Sequence, residues 1–243
     1  MEAGRTFFIA DLHLTDERPV ATGRFFRFLQ EEVAGADALY ILGDLFEAWI
    51  GDDHDERVAH DTAQQLKALA QAGTPVFFMH GNRDFMLAAR YAMRSGMTLL
   101  ADPARIDLYG TPTLLMHGDT LCTDDLAYQA FRRRVRHPLM LALLRRLPFS
   151  WRRRLARQAR AGSESAKAGK AAAIMDVNAA EVVRALREQQ VCRLIHGHTH
   201  RPARHVHDVD GRDCERWVLP DWYASWGYVV CDAAGCTLRT GDL

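Results

Sequence analysis

The chain has 243 residues, 48% of them hydrophobic, enough to build a sizeable core in one domain or in one domain with a large insertion. Its 31 basic and 31 acidic side chains cancel, which argues against general nucleic-acid affinity, and no apolar run approaches the ~20 residues needed to span a bilayer. Five cysteines (Cys122, Cys192, Cys214, Cys231, Cys236) form no C-x-x-C pair, so reduced thiols in a cytosolic compartment are expected, not a disulfide framework or a thiolate zinc site.

The N-terminus enters a strand over 6–10 and reaches acidic residues by position 11, so a secretory signal is not expected. Phe25, Phe28, Leu29 and Val33 recur at helical spacing and predict a helix over 19–34. Strand 38–42, a helix over 56–72, strand 75–79, a short helix over 85–95 ending at Gly96, and strand 113–116 follow. This alternation predicts an α/β domain. Residues 121–176 carry no strand signal and read as three or four helices, with Pro138 and Pro148 bracketing one of them. The α/β rhythm resumes with helix 178–190 and strand 191–196, and the tail reads as a meander of short strands over 216–219, 227–231 and 236–240. The helical stretch is therefore expected to be a cap inserted into one core, formed by 1–120 and 177–243.

Five apolar, β-prone runs each end in groups that can bind a metal. Phe7-Phe8-Ile9 leads to Asp11 and His13, and Leu39-Tyr40-Ile41-Leu42 to Asp44. Val76-Phe77-Phe78-Met79 leads to Asn82, Leu114-Leu115-Met116 to His117, and Leu194-Ile195 to His198 and His200. Carboxylate, imidazole and amide-oxygen ligands suit divalent manganese, iron or zinc. In Asp11-x-His13 and His198-x-His200, alternate residues of an extended segment would point the same way. Asp44, alone in its cluster, is the natural bridge. Asp11, His13 and His200 would then hold one ion, and Asn82, His117 and His198 the other. Two ions about 3.5–4 Å apart can hold a hydroxide between them and clamp a phosphoryl group for in-line attack. Gly43, Gly81, Gly118 and Gly197 permit tight turns beside these ligands. His80 and His196, set against the strands, are expected to pack or to support ligands, as Asp84 and Asp119 are expected to orient the ligand histidines.

The ordered set Asp11-x-His13, Gly43-Asp44, Gly81-Asn82-x-Asp84, His117 and Gly197-His198-x-His200 resembles the calcineurin-like metallophosphoesterase superfamily over residues 7–200. The resemblance implies an αββα sandwich with a dinuclear centre, of manganese by family expectation, at the C-terminal strand edges. Many relatives carry His after the Gly-Asn pair, where it can protonate a leaving alkoxide; here that residue is Arg83. A guanidinium cannot act as an acid but clamps phosphate oxygens well. The leaving group should then be a good one already, such as a phosphate with a second pKa of about 6.

The longer stretches Gly43–Asp53, His117–Asp125, Tyr128–Arg132 and His196–Pro202 resemble one branch of the superfamily. That branch uses water to attack the α-phosphorus of a UDP-linked diacylglucosamine in lipid A biosynthesis, giving UMP and diacylglucosamine 1-phosphate. The resemblance carries catalytic roles to Asn82 and Arg83. It carries substrate contacts to these two and to Asp125, Ser163, Lys167, Lys170 and His198, Lys167 replacing a smaller polar residue of many relatives. Hydrolysis of a soluble nucleotide and a catalytically silent scaffold are the alternatives.

Residues 131–160 hold eleven arginines and no acid, leaving a balance of −11 elsewhere. Leu139, Met140, Leu141, Leu143, Leu144, Leu147, Phe149 and Trp151 interleave with them. Basic groups flanking apolar ones suit an anionic membrane, at about 1 kcal/mol per charge near the surface, with plain packing or an RNA-binding patch (short of stacking aromatics beyond Phe149 and Trp151) as the competing readings. By the resemblance this segment is a lid over acyl chains, on a cytoplasmic protein bound peripherally to the cytoplasmic face of the bacterial inner membrane. Neither nucleic acid nor an obligate protein partner is inferred.

Overall fold

The computed structural model describes residues 4–53, 56–168 and 176–243. In chain order its elements are β1 (Thr6–Ile9), α1 (Pro19–Glu31), β2 (Ala38–Ile41), α2 (Arg57–Gln71), β3 (Val76–Met79), α3 (Ala89–Ser95), β4 (Met97–Leu100), β5 (Ala104–Leu108) and β6 (Thr111–Met116). Helices α4 (Leu126–Val135), α5 (Pro138–Arg146), α6 (Phe149–Ala168) and α7 (Ala179–Glu188) come next. Then follow β7 (Arg193–His196), β8 (Ala203–Val209), β9 (Arg212–Val218), β10 (Ser225–Asp232) and β11 (Gly235–Asp242). One sheet runs β11-β10-β1-β2-β3-β4 and the other β5-β6-β7-β9-β8.

The period of two in the strands assembles these layers. Phe7 and Ile9 pack with Phe25, Phe28 and Leu29 of α1, whereas Phe8 between them packs with Leu115 and Ile195 of the opposite sheet. On the far side, Leu114 and Leu194 turn outward to meet Val182 and Leu186 of α7. The order is helix, sheet, sheet, helix, as expected. Strands β1 to β4 run parallel, as do β6, β7 and β9, so their C-terminal ends deliver loops to a common edge.

Among the described residues, the stretch between β6 and α7 forms three α-helices, with Pro138 opening α5 and Pro148 just before α6. Leu141 and Leu144 pack against the first core cluster. Polar contacts add to this docking. Arg136 Nη2 donates to Gly81 O at 2.7 Å. Buried Arg152 donates to the Ile50 carbonyl and pairs with Asp53.

Several expectations change. Helix α3 starts at Ala89, because the preceding residues are held in turns by Asp52 and Asp84. Strands β4, β5 and β8 were not foreseen. β5 and β8 are edge strands whose polar residues (Arg105, Asp107, His205, His207) dilute the apolar signal. The tail is not one meander: hairpin β8-β9 joins the second sheet and hairpin β10-β11 the first. Not all five cysteines are thiols. Cys231 and Cys236 face each other across the β10-β11 hairpin and are bridged, while Cys122, Cys192 and Cys214 are free. Sequence spacing could not show this, because the register sets the pair opposite.

Leu115→Ala, which empties a fully buried site between the sheets, should cost about 2–5 kcal/mol in urea unfolding. Leu139→Ala, at a side chain 76% exposed, should stay within about 0.5 kcal/mol.

Candidate metal centre

The loops after β1, β2 and β7 share an uncommon backbone. Asp11, His13, Asp44, His198 and His200 all lie at φ between 50 and 70°. Side chains seldom adopt this left-handed region, and each such residue costs on the order of 1–3 kcal/mol. The pairs Asp11/His13 and His198/His200 therefore converge through tight left-handed turns, not along the extended segments expected. Hydrogen bonds between loops hold them there. Asp11 N donates to Gly43 O and His13 N to Asp44 O, each at 3.0 Å. His198 N donates to Asp11 Oδ2 at 2.7 Å. Arg83 N donates to Asp44 Oδ1 at 2.8 Å. Gly43, at φ 93°, is packed so closely that a Cβ would lie 2.6 Å from the Gly81 backbone and from His117 Nδ1.

The side chains fall into two groups. Asp11 Oδ1 is 3.9 Å from His13 Nε2 and 3.4 Å from His200 Nε2. Asn82 Oδ1 is 3.0 Å from His117 Nε2, and the His117 and His198 rings are 5.0 Å apart. Asp44 stands between, with Oδ2 4.0 Å from His13 Nε2 and Oδ1 3.9 Å from His117 Nε2. Ligand atoms of Asp11, His13 and His200 lie within 4.8 Å of one another, as do those of Asp11, Asp44 and His117.

The electrostatics ask for positive charge. Burial pushes the Asp44 carboxyl up to about 7, with Asp84 and Asp11 adding to the effect. Burial would also raise Asp11, but the contact with His200 and the charges of His200, His117 and His13 hold it well below the usual range. Burial depresses His117, yet Asp44, Asp119 and Asp11 carry it up to about 9. His198 is pushed down to about 3 by burial and by His117. Asp11 Oδ1 and both ring nitrogens of His13 are buried without a hydrogen bond. Converging oxygen and imidazole donors with unused lone pairs fit divalent cations of the manganese, iron or zinc type.

Other candidates fall as follows. Arg83 lies beside Asp44 and its Nη1 pairs with Glu47 Oε1 at 2.8 Å. Asp125 caps α4, its Oδ1 accepting from Tyr128 N at 3.1 Å. Ser163 and Lys167 fall on α6; their side chains, and Lys170 altogether, lie outside the described residues. Asp84 and Asp119 do not bond the histidines. Asp84 accepts from Leu45 N and Gly81 N, each at 2.8 Å, and so ties two ligand loops together. Asp119 Oδ2 takes Tyr128 Oη at 2.6 Å and Arg132 Nε at 2.7 Å, which anchors α4. The orienting partner of His117 is the Leu42 carbonyl, 2.8 Å from Nδ1. His80 and His196 support backbone and packing, through Leu87 O and Arg216.

Sequence reading missed Glu47, Asp221 and Tyr223. Glu47 Oε2 is 3.4 Å from His13 Nδ1 and Asp221 Oδ2 is 3.8 Å from His200 Nδ1. The Tyr223 ring lies 4.9 Å from that of His13. The only sequence signal was that Glu47 sits three residues after Asp44; Asp221 and Tyr223 belong to the β9–β10 connection, which carries no ligand motif.

The chain matches the calcineurin-like phosphoesterase family over residues 4–202. It is 52% identical to a UDP-2,3-diacylglucosamine hydrolase of Cellvibrio japonicus (strain Ueda107), covering 98% of this chain and 99% of that one. It is 50% identical to an enzyme of the same name from Enterobacter sp. (strain 638), covering 96% and 97%. Among solved structures, a novel archaeal phosphodiesterase shares the fold at TM-score 0.51 and 11% identity, covering 98% and 99%.

Manganese should raise the melting temperature of the chelator-stripped protein, by mass action on the folded state. Asp44→Ala should largely remove that rise. Gly43→Ala should lower stability by at least about 1–3 kcal/mol in urea unfolding, since the new Cβ meets backbone.

Proposed function

The chain belongs to the calcineurin-like phosphoesterase family, and from that premise we propose that it hydrolyses the pyrophosphate bond of UDP-2,3-diacylglucosamine in lipid A biosynthesis. The products are UMP and 2,3-diacylglucosamine 1-phosphate. The observation that supports the chemistry most directly is Asp44, whose two oxygens face imidazoles of opposite groups.

In this reading Asp11, His13 and His200 would hold one divalent cation and Asn82, His117 and His198 a second, with Asp44 within reach of both; manganese is the expected metal. Bound there, the cations supply Lewis acidity toward phosphoryl oxygens and lower the pKa of water. The protein's own groups do the rest. Asn82 and Arg83 meet the diphosphate oxygens as charge develops on them. Arg83 remains charged throughout. Its Nη1 is steadied by Glu47, leaving its other donors for phosphate. No side chain has to protonate the departing group, because a phosphate leaves as an anion. His198, neutral by burial, can contact substrate without adding charge.

Residues 121–176 then form the cap over a core of 1–120 and 177–243. Asp125, Ser163, Lys167 and Lys170 would meet the glucosamine and diphosphate side of the ligand. Leu139, Leu143, Trp151 and Leu155 are exposed on this segment. So are Arg133, Arg134, Arg145, Arg146, Arg154 and Arg157. Apolar side chains ringed by basic ones suit acyl chains and an anionic surface better than a water-soluble nucleotide. No helix among the described residues is long and apolar enough to cross a membrane. The contact proposed is peripheral, at the cytoplasmic face of the inner membrane, and needs neither nucleic acid nor an obligate protein partner.

The manganese-loaded protein should release UMP from UDP-2,3-diacylglucosamine. Arg83→Ala should lower kcat roughly 10²–10³-fold, the scale of losing one charge-stabilising donor, and Asp44→Ala should abolish turnover. No UMP from the loaded wild-type protein would refute the substrate assignment. Leu139→Ser with Leu143→Ser should slow the acylated substrate more than a small chromogenic phosphodiester.

A further inference from the structure

One carboxylate gathers partners from four parts of the chain. Glu47, in the loop after β2, is only 14% exposed, and its own N–H is fixed on Leu14 O at 3.0 Å. Its Oε1 accepts from Arg83 Nη1 at 2.8 Å, beside Asp44, and also pairs with Arg160 Nη2 on α6. Its Oε2 accepts from Tyr223 Oη at 3.0 Å, in the β9–β10 connection. The same oxygen lies 3.4 Å from His13 Nδ1, close but not aligned for a hydrogen bond. The carboxylate is thus divided: one oxygen serves two guanidiniums, the other a phenol and a buried imidazole.

That division has a mechanical consequence. Neither guanidinium can give up its charge. Arg160 belongs to the arginine-rich segment, whereas Arg83 and His13 belong to the core loops. The position of Oε1 therefore depends on where α6 is seated, and Oε2 moves with it because the carboxylate is planar. Oε2 is a carboxylate oxygen 3.4 Å from His13 Nδ1, and a proton kept at Nδ1 leaves the Nε2 lone pair toward Asp11 and Asp44, 3.9 and 4.0 Å away.

We propose that Glu47 is a positioning residue that couples the seating of α6, through Arg160, to the cation affinity of the His13 group. The proposal rests on the reading of His13 as a cation ligand. Coupling of this kind is reciprocal. Whatever seats α6 tightens cation binding at His13, and cation binding there holds α6 down.

The test is manganese titration of chelator-stripped, full-length protein, followed by calorimetry and by the electron paramagnetic resonance of free Mn²⁺, with folding checked by thermal melting. Glu47→Gln should weaken one of the two binding steps by about 10–100-fold, the usual cost of losing a partner that orients a ligand. Arg160→Gln should weaken the same step severalfold, and the double variant should bind no more weakly than Glu47→Gln alone, because both act through one carboxylate. Arg184→Gln, on the exposed face of α7, serves as the control and should change neither step. An Arg160→Gln protein with both steps unchanged, or a double variant whose loss is the product of the two single losses, overturns the coupling. Should Glu47→Gln fail to fold, Arg160→Gln, at a half-exposed side chain, decides alone. The readout is metal binding, so a wild-type protein that releases no UMP refutes the hydrolase reading and leaves this result standing on its own.

Discussion

Asp11 is the knot on which the centre depends. Its N–H donates to Gly43 O after β2, its carbonyl accepts from Trp222 N in the β9–β10 connection, and its Oδ2 accepts from His198 N after β7. One residue after β1 thus ties loops from both sheets. It does so in a left-handed conformation that only such an over-determined setting sustains. The same carboxylate still presents Oδ1, buried and without a hydrogen bond, toward His13 and His200. Backbone strain, inter-sheet closure and ligand geometry meet in a single side chain.

Closure also explains why the glycines matter. Gly43 and Gly118 take positive φ, and a Cβ on Gly197 would lie 2.4 Å from Asp11 Oδ2. The loops approach until nothing larger fits. Asp84, bonded to Leu45 N and Gly81 N, holds the β2 and β3 loops at that spacing. The buried carboxylate and imidazole atoms left without a hydrogen bond would be costly in a purely structural core. They make sense where cations share the charge.

The arginines divide by task. Arg132, Arg136, Arg152 and Arg160 fasten the helical segment to acids or carbonyls of the core. Those on the exposed faces of α4, α5 and α6 keep their charge for the outside. A run that reads in sequence as one basic patch is therefore partly a set of fasteners. This could not be foreseen, since the acids they meet, at 47, 53 and 119, are distant in sequence from several of them. Leu141 and Leu144 against Leu139 and Leu143 divide in the same way: all are leucines of one helix, and only the neighbour decides which face is covered.

Local chemistry wrote much of this protein into its sequence. The alternation of strands and helices, the helical segment opened by prolines, the family, and the identity and order of Asp11, His13, Asp44, Asn82, His117, His198 and His200 as candidates were all legible. Each of these rests on residue type and short-range period. That Arg83 follows the Gly-Asn pair was legible for the same reason. Tertiary structure decided the left-handed turns that bring the candidate ligands together, the two-sided placing of Asp44, and the contacts of Glu47, Asp221 and Tyr223 with His13 and His200. It also assigned the two C-terminal hairpins to different sheets and set Cys231 opposite Cys236. These depend on register and on hydrogen bonds between distant loops, which exist only once the sheets have closed.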